Sequence, residues 1–172
     1  MSGHWEGDII SGSGNRPWGY GPGTQATRRC CELRAEALTD SPAAFGSTLR
    51  REHARTVDDW RRWFAPGVTF FWVDEAGAGG GLVAVVADGD NHHADLVSMW
   101  VRPDMRGKGV GDALVAAVVA WAHERGRALR LHVVEDKAPA LTVYARHGFH
   151  PTGEVDLHAD GVRELEMTHN AS

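Results

Sequence analysis

The sequence predicts an α/β fold with a mixed, mostly antiparallel central sheet flanked by helices. Two observations predict its frame. Helix-period segments come first, before a pair of apolar runs joined by a glycine-rich turn. Another strand pair closes the chain around Asp160-Gly161. A third observation fixes the centre: the stretch Ala94 to Gly126 reads as a buried strand, a turn with glycine at every second position, and a helix. The resulting order of helices, hairpin, βα, βα and hairpin is that of an α/β sandwich on one mixed sheet.

Taken in order, residues 1–24 are rich in Gly, Ser, Pro and Trp, and only Asp8-Ile9-Ile10 hints at a strand, so composition sets them apart as an arm. The main domain is expected over 25–172. Leu33, Ala37 and Leu38 mark one face of a helix over 25–39, which Asp40-Ser41-Pro42 breaks because proline cannot continue it. A second helix is expected through Arg55, and Thr56-Val57-Asp58-Asp59 resembles a capping box opening a third. Strands follow at 68–74 and 82–87, joined by the turn Glu75–Gly81. Leu96, Met99, Trp100 and Val101 form the central strand, and Pro103 ends it. Val110, Leu114, Ala117, Val118 and Trp121 recur at helical spacing up to Gly126. A strand at 128–135 and a short helix at 139–147 precede Gly148, placed for a left-handed cap, and Phe149, its apolar follower. Strands near 150–156 and 162–167 end the domain.

With 172 residues, 42% of them hydrophobic and 24% charged, the chain has the length and composition of one ordinary globular domain. No apolar run approaches the roughly 20 residues of a membrane span, and the N-terminus lacks the pattern of a signal peptide. A membrane partner is therefore not expected, and a cytoplasmic location is. Cys30 and Cys31 are adjacent in a helical pattern and point apart, so neither a mutual disulfide nor a metal pair is expected. His92 and His93 would face opposite ways in a strand, and no metal is expected. A net charge of −5 argues against nucleic acid and favours a cationic or neutral partner. A homodimer is left open.

The chemistry concentrates in Arg106-Gly107-Lys108-Gly109-Val110-Gly111. A glycine-rich turn opening a helix aims unpaired N–H groups outward at the positive end of the helix dipole, which suits a phosphate or diphosphate. The bland alternative is a tight βα turn. A Walker loop is excluded because Gly109 follows Lys108, and the dinucleotide fingerprint fails at Leu114.

Arg106, Gly109 and Gly111 match the Arg/Gln-x-x-Gly-x-Gly/Ala acyl-CoA loop, and the stretch resembles that of the GNAT N-acetyltransferases. The resemblance covers about residues 25–168. It implies the GNAT fold, acetyl-CoA as co-substrate, no metal, and an N-acetyltransferase activity on a primary amine. It implies that Gly107, Lys108 and Val110 share in the diphosphate site and that the backbone of Met99, Trp100 and Val101 holds the pantetheine. Tyr144, in Tyr144-Ala145-Arg146-His147-Gly148-Phe149, matches the family's Tyr-x-x-x-Gly-Phe. It would protonate the leaving thiolate, with core packing as its other reading. Ala140 matches the family at the cofactor, whereas Lys137 stands where asparagine is usual.

Deprotonating the amine needs a base. An alkylammonium near pKa ~10 leaves about one molecule in 10³ neutral at pH 7, a handicap of roughly 4 kcal/mol. The resemblance puts Asp95 where relatives that acetylate histones carry a glutamate, and Glu135 is the rival. The segment Asp40–Thr48 is also shared with a GNAT subgroup, in which the first helices cover the acceptor. Phe45, Trp60 and Trp63 are candidates for an apolar or cation-binding wall there, or for core. Acidic charge favours a small cationic amine, an aminoglycoside or a polyamine, over a protein tail, and a mobile-element origin of the N-terminal residues would point to an aminoglycoside of kasugamycin type.

Gly3-His4-Trp5-Glu6-Gly7-Asp8, with Gly12–Arg16, resembles the start of an insertion-sequence DDE transposase core, which implies a fusion remnant and horizontal spread. The other two acids of that family find no match, so transposase activity is not expected. The rival from another class is a non-catalytic CoA-binding module.

Overall fold

The structure, a computed structural model, describes residues 18–20, 24–42, 45, 47–56, 58–59, 67–73, 79–87 and 92–170. The expectations resting on residues 1–17, on Trp60 and Trp63 and on the turns at 74–78 and 88–91 lie outside them.

The elements are β1 (Trp18–Tyr20), α1 (Thr24–Asp40), α2 (Leu49–His53), β2 (Gly67–Val73), β3 (Gly79–Ala87), β4 (His93–Val101), α3 (Val110–Glu124), β5 (Ala128–Val134), α4 (Ala138–Arg146), β6 (His150–Leu157) and β7 (Arg163–His169). A single 3-10 turn, Pro103–Met105, separates β4 from the glycine loop. The seven strands form one sheet in the order β1-β2-β3-β4-β5-β7-β6. Among the described strands, β4 and β5, joined through α3, are the only sheet neighbours that run parallel.

Most sequence signals have visible local causes. Ser41 N–H returns to Ala37 O at 2.8 Å as α1 stops before Pro42. Thr48 Oγ1 caps α2 by accepting from Arg51 N–H. Thr56 and Asp59 exchange the two bonds of a capping box: Asp59 N–H donates to Thr56 Oγ1 at 3.2 Å, and Thr56 N–H to Asp59 Oδ2 at 2.8 Å. After α4, Gly148 takes φ 84°. Gly148 N–H then bonds Ala145 O, and Phe149 N–H bonds Tyr144 O, both at 3.1 Å. The Phe149 ring meets the Tyr144 ring edge-on at 5.8 Å. Tyr-x-x-x-Gly-Phe is thus a Schellman cap with its apolar contact.

Two boundaries differ from the sequence reading. Trp18–Tyr20 pairs antiparallel with Thr69–Phe71, so the segment set apart by composition contributes an edge strand. Gly79–Gly81, expected in the turn, begin β3 instead. Glycine is required there by close approach, since a Cβ on Gly80 would lie 2.6 Å from the Trp72 ring.

The sheet buries two apolar clusters. Beneath α3 and α4 lie Phe70, Val83, Leu96, Val110, Leu114, Val118, Leu129, Leu131, Tyr144, Phe149 and Met167. On the opposite face α1 supplies Leu33, Ala37 and Leu38, which pack with Phe45, Phe71, Leu82 and Trp100. No helix among the described residues is long and apolar enough to cross a membrane.

One irregularity shapes the middle of the sheet. The β3–β4 register slips by one residue, from Ala84↔Val97 to Leu82↔Trp100. The extra β4 residue is accommodated at Ser98, which takes φ 56°, a left-handed conformation that costs a non-glycine residue free energy. Arg34 Nη1 donates to Ser98 Oγ at 2.8 Å. Arg34 is itself buried, with its Nε 3.1 Å from Glu52 Oε1 and its guanidinium 5.5 Å over the Phe45 ring. Arg55 Nε reaches the other Glu52 oxygen at 2.8 Å. Removing one partner of such a buried pair leaves a charge uncompensated. Glu52→Gln is therefore expected to lower stability by about 3 kcal/mol in chemical denaturation, and a loss under 1 kcal/mol would contradict this account.

Candidate active site

β4 and β5 pair only at His93–Asp95 with Ala128–Arg130. Beyond Asp95 the two strands part, and the later residues of β4 lose their ladder neighbour on that side among the described strands. Backbone N–H and C=O groups there are open to a ligand that can pair as a strand would.

The glycine loop closes the wide end of this split. Gly107 and Gly109 take φ 72° and 82°, and Gly109 caps α3. The first return bond of the helix runs from Ala113 N–H to Gly109 O at 3.0 Å, so the N–H groups of Val110, Gly111 and Asp112 precede it. Gly111 is the residue at which three elements converge. A Cβ built on it would lie 3.6 Å from Met99 Cε and 3.9 Å from both Val101 Cγ2 and Val143 Cγ2. These are ordinary contacts, so the fold itself does not demand glycine at 111. The loop, the late residues of β4 and α4 thus meet at Gly111, and a glycine-rich helix start beside an unpaired strand edge has the donor chemistry for a diphosphate with an extended amide chain.

Other side chains hold the walls. The Arg106 guanidinium braces the loop: Nε donates to Val101 O at 3.0 Å and Nη2 to Asp40. Asp40 also accepts from Trp100 Nε1 at 2.9 Å and from Ser41 Oγ at 2.8 Å. The indole N–H first, then Ser41 and Arg106, hold the Asp40 carboxyl below the usual carboxylate range. Its stabilising effect is therefore present at neutral pH and fades as pH falls through that lowered value. Asp112, in the first turn of α3, accepts from Arg146 Nη1 at 2.7 Å and lies 3.2 Å from His147 Nε2, tying α3 to the end of α4. Lys108 is exposed on the loop, and Lys137, also exposed, caps α4. Ala140 packs against the core.

Tyr144 is 6% exposed, and burial pushes its phenol well above the ordinary tyrosine value. It stays protonated and can donate a hydrogen bond. The two carboxylates expected as bases are engaged by arginines. Asp95 takes a bidentate pair from Arg130, with 2.7 Å to Nε and 3.2 Å to Nη2. It sits where β4 and β5 are still joined, roughly 13 Å along the strand from Met99. Glu135 accepts from Arg163 Nε at 2.7 Å, which turns it toward β7. Phe45, a candidate for the substrate wall, is 8% exposed and packed against α1 under Arg34, so it is core.

The sequence reading missed His132. Leu129, Leu131 and Val133 point into the core under α3, so alternation puts Arg130 and His132 on the opposite face. The signal available was a histidine at a polar alternate position of an otherwise apolar strand. No group of three or more metal-ligating side chains occurs among the described residues.

Residues 31–149 match the acetyltransferase (GNAT) family. Streptothricin acetyltransferase of Streptomyces lavendulae is 37% identical over 82 residues, 47% of this chain and 43% of that protein. Mycothiol acetyltransferase of Clavibacter sepedonicus is 34% identical over 118 residues, 68% of this chain and 37% of that protein. The chain thus spans about two fifths of the length of the curated relatives it matches. Among solved structures, a nourseothricin acetyltransferase superposes with TM-score 0.56 at 32% identity, covering 62% of this chain and 66% of that one. A Salmonella typhimurium protein solved with its cofactor acetyl-CoA gives TM-score 0.74 at 16% identity, over 93% and 95% of the two chains, and shows the shared fold.

Two glycine variants separate ligand approach from backbone demand. Gly111→Ala is expected to keep or slightly raise stability, since alanine suits a helix by up to about 1 kcal/mol, while CoA affinity in a titration falls at least tenfold. Gly109→Ala, at positive φ, is expected to lose about 1 kcal/mol of stability. A Gly111→Ala protein that binds CoA as tightly as wild type would contradict the cradle.

Proposed function

This chain belongs to the acetyltransferase (GNAT) family, and we propose that it moves an acetyl group from acetyl-CoA to a primary amine of a small cationic molecule. The observation that carries this reading is the convergence at Gly111 of the loop, the open edge of β4 and α4. The N–H groups of residues 107–112 take the diphosphate, and the backbone of Met99–Val101 takes the pantetheine amides and sets the thioester beside the split. When bound, acetyl-CoA supplies an activated acyl carbon and a thiolate leaving group.

The amine nitrogen attacks the thioester carbonyl carbon; the new C–N bond replaces C–S, and the sulfur departs as thiolate. Tyr144 is the hydrogen-bond donor to that sulfur. With its phenol made less acidic by burial, it donates without ionising, and the thiolate takes up the proton released from nitrogen through it.

The acceptor is read from charge and from the relatives. The net charge is −5, and Asp95, Glu164, Glu166 and Asp156 stand on the part of the sheet that α1 does not cover. That field favours an alkylammonium over an anion. The relatives named for streptothricin and nourseothricin support an antibiotic amine, and an aminoglycoside of kasugamycin type belongs to the same class. Resistance by acetylation follows from that choice. The fusion with a transposase fragment rests on residues 3–16 alone.

The experiment is free-thiol release from acetyl-CoA with streptothricin, aminoglycosides, polyamines and an N-terminal peptide as acceptors. Turnover of at least one small cationic amine is expected, and Tyr144→Phe should lower kcat about 10²-fold with little change in KM for acetyl-CoA. Tight CoA binding with no turnover on any amine would make the chain a CoA-binding module instead.

A further inference from the structure

The acetyl-transfer reading leaves one chemical step without an owner, because both expected bases are held by arginines. We propose that His132 takes the proton from the acceptor amine, with Glu166 and Asp156 orienting it. This rests on the acetyl-transfer reading of the same cleft and extends it to the acceptor side.

Three geometric facts carry the assignment. The first is place. Asp95 pairs with Arg130 as the last bonded rung between the parallel strands β4 and β5. His132 is the next residue along β5 on that face, so it stands at the threshold where the strands begin to part. The second is face. His132 lies opposite the α3 side from which the loop and Gly111 approach. An amine meeting the thioester through the split from the other side would therefore arrive beside this imidazole. The third is environment. His132 Nε2 lies 3.5 Å from Asp156 Oδ2 on β6 and 3.6 Å from Glu166 Oε2 on β7. His132 and Glu166 are direct cross-strand neighbours.

Both carboxylates address the same ring nitrogen. They stand at ion-pair distance from it, and in the proposed role the proton rests on Nε2 while Nδ1 presents its lone pair to the amine. With 38% of its side chain exposed, the imidazole can meet a substrate and return its proton to water. The groups facing it are Glu166 from β7, Asp156 from β6, and the Arg130–Asp95 pair from β5 and β4. The balance is simple. An alkylammonium carries two protons more than the amide nitrogen it becomes. One passes to His132 Nδ1 and then to solvent; the other leaves with the thiol.

This role makes a prediction that a structural histidine would not. His132→Gln is expected to lower kcat/KM at pH 7 about 10²-fold while leaving the Kd for CoA unchanged. The gap should close toward pH 10, where about half of the amine is already neutral in solution, and with weakly basic amines at any pH. Glu166→Gln, which leaves the imidazole in place, should lower kcat/KM by a smaller factor with the same recovery at high pH. Either a His132→Gln protein with wild-type rate and pH profile, or an equal loss at every pH, would overturn the assignment. If wild type turns over no amine at all, the transferase reading itself fails, and this one with it.

Discussion

At Ser98 the β4 backbone turns into the left-handed region, and the use made of the sheet depends on that single residue. The last rung between β4 and β5 is Asp95–Arg130, three residues before it, and through Ser98 the two strands are already apart. A parallel pair normally buries its amides in a ladder, and an opening of this kind would leave polar groups unsatisfied unless a ligand takes them. The strain is held from behind by Arg34, whose charge is balanced by the buried Glu52. A buried ion pair is a poor source of stability but a good device for fixing one geometry. Here it fixes the bulge inside the opened stretch of β4.

The two faces of the sheet divide the chemistry. The α3 face is apolar and carries the glycine loop, with neutral N–H groups at a helix terminus for a diphosphate. The opposite face is apolar only under α1; over β5, β7 and β6 it carries His132, Glu164, Glu166 and Asp156. Two ligands of opposite charge can therefore approach the split from opposite sides without competing. The Asp40 node joins these regions physically, since one carboxylate holds the end of α1, the Trp100 indole and the loop's Arg106.

The sequence made the frame legible wherever the signal was local. Glycine spacing after Pro103 located the loop, Gly148-Phe149 announced a Schellman cap, and Thr56-Asp59 a capping box, because each motif acts within a few residues. The divergence of β4 from β5 was not legible. Ser98 carries none of the glycine or asparagine marks of a left-handed residue, and its support comes from Arg34, 64 positions away. His132 was passed over for the same reason: its carboxylate partners lie 24 and 34 residues downstream, on strands that only the fold brings alongside. Asp95 and Glu135 were chosen by position in their strands, and their arginine partners were invisible until the register was known.

The central claim is that the open edge of β4 and the N–H groups of the glycine loop form one binding surface for acetyl-CoA. Amide hydrogen exchange, with and without acetyl-CoA, tests it most directly. The account predicts slowed exchange concentrated at residues 99–101 and 107–112, with little change at the β1–β2 edge. Protection elsewhere, with these amides exchanging as they do in the free protein, would contradict it.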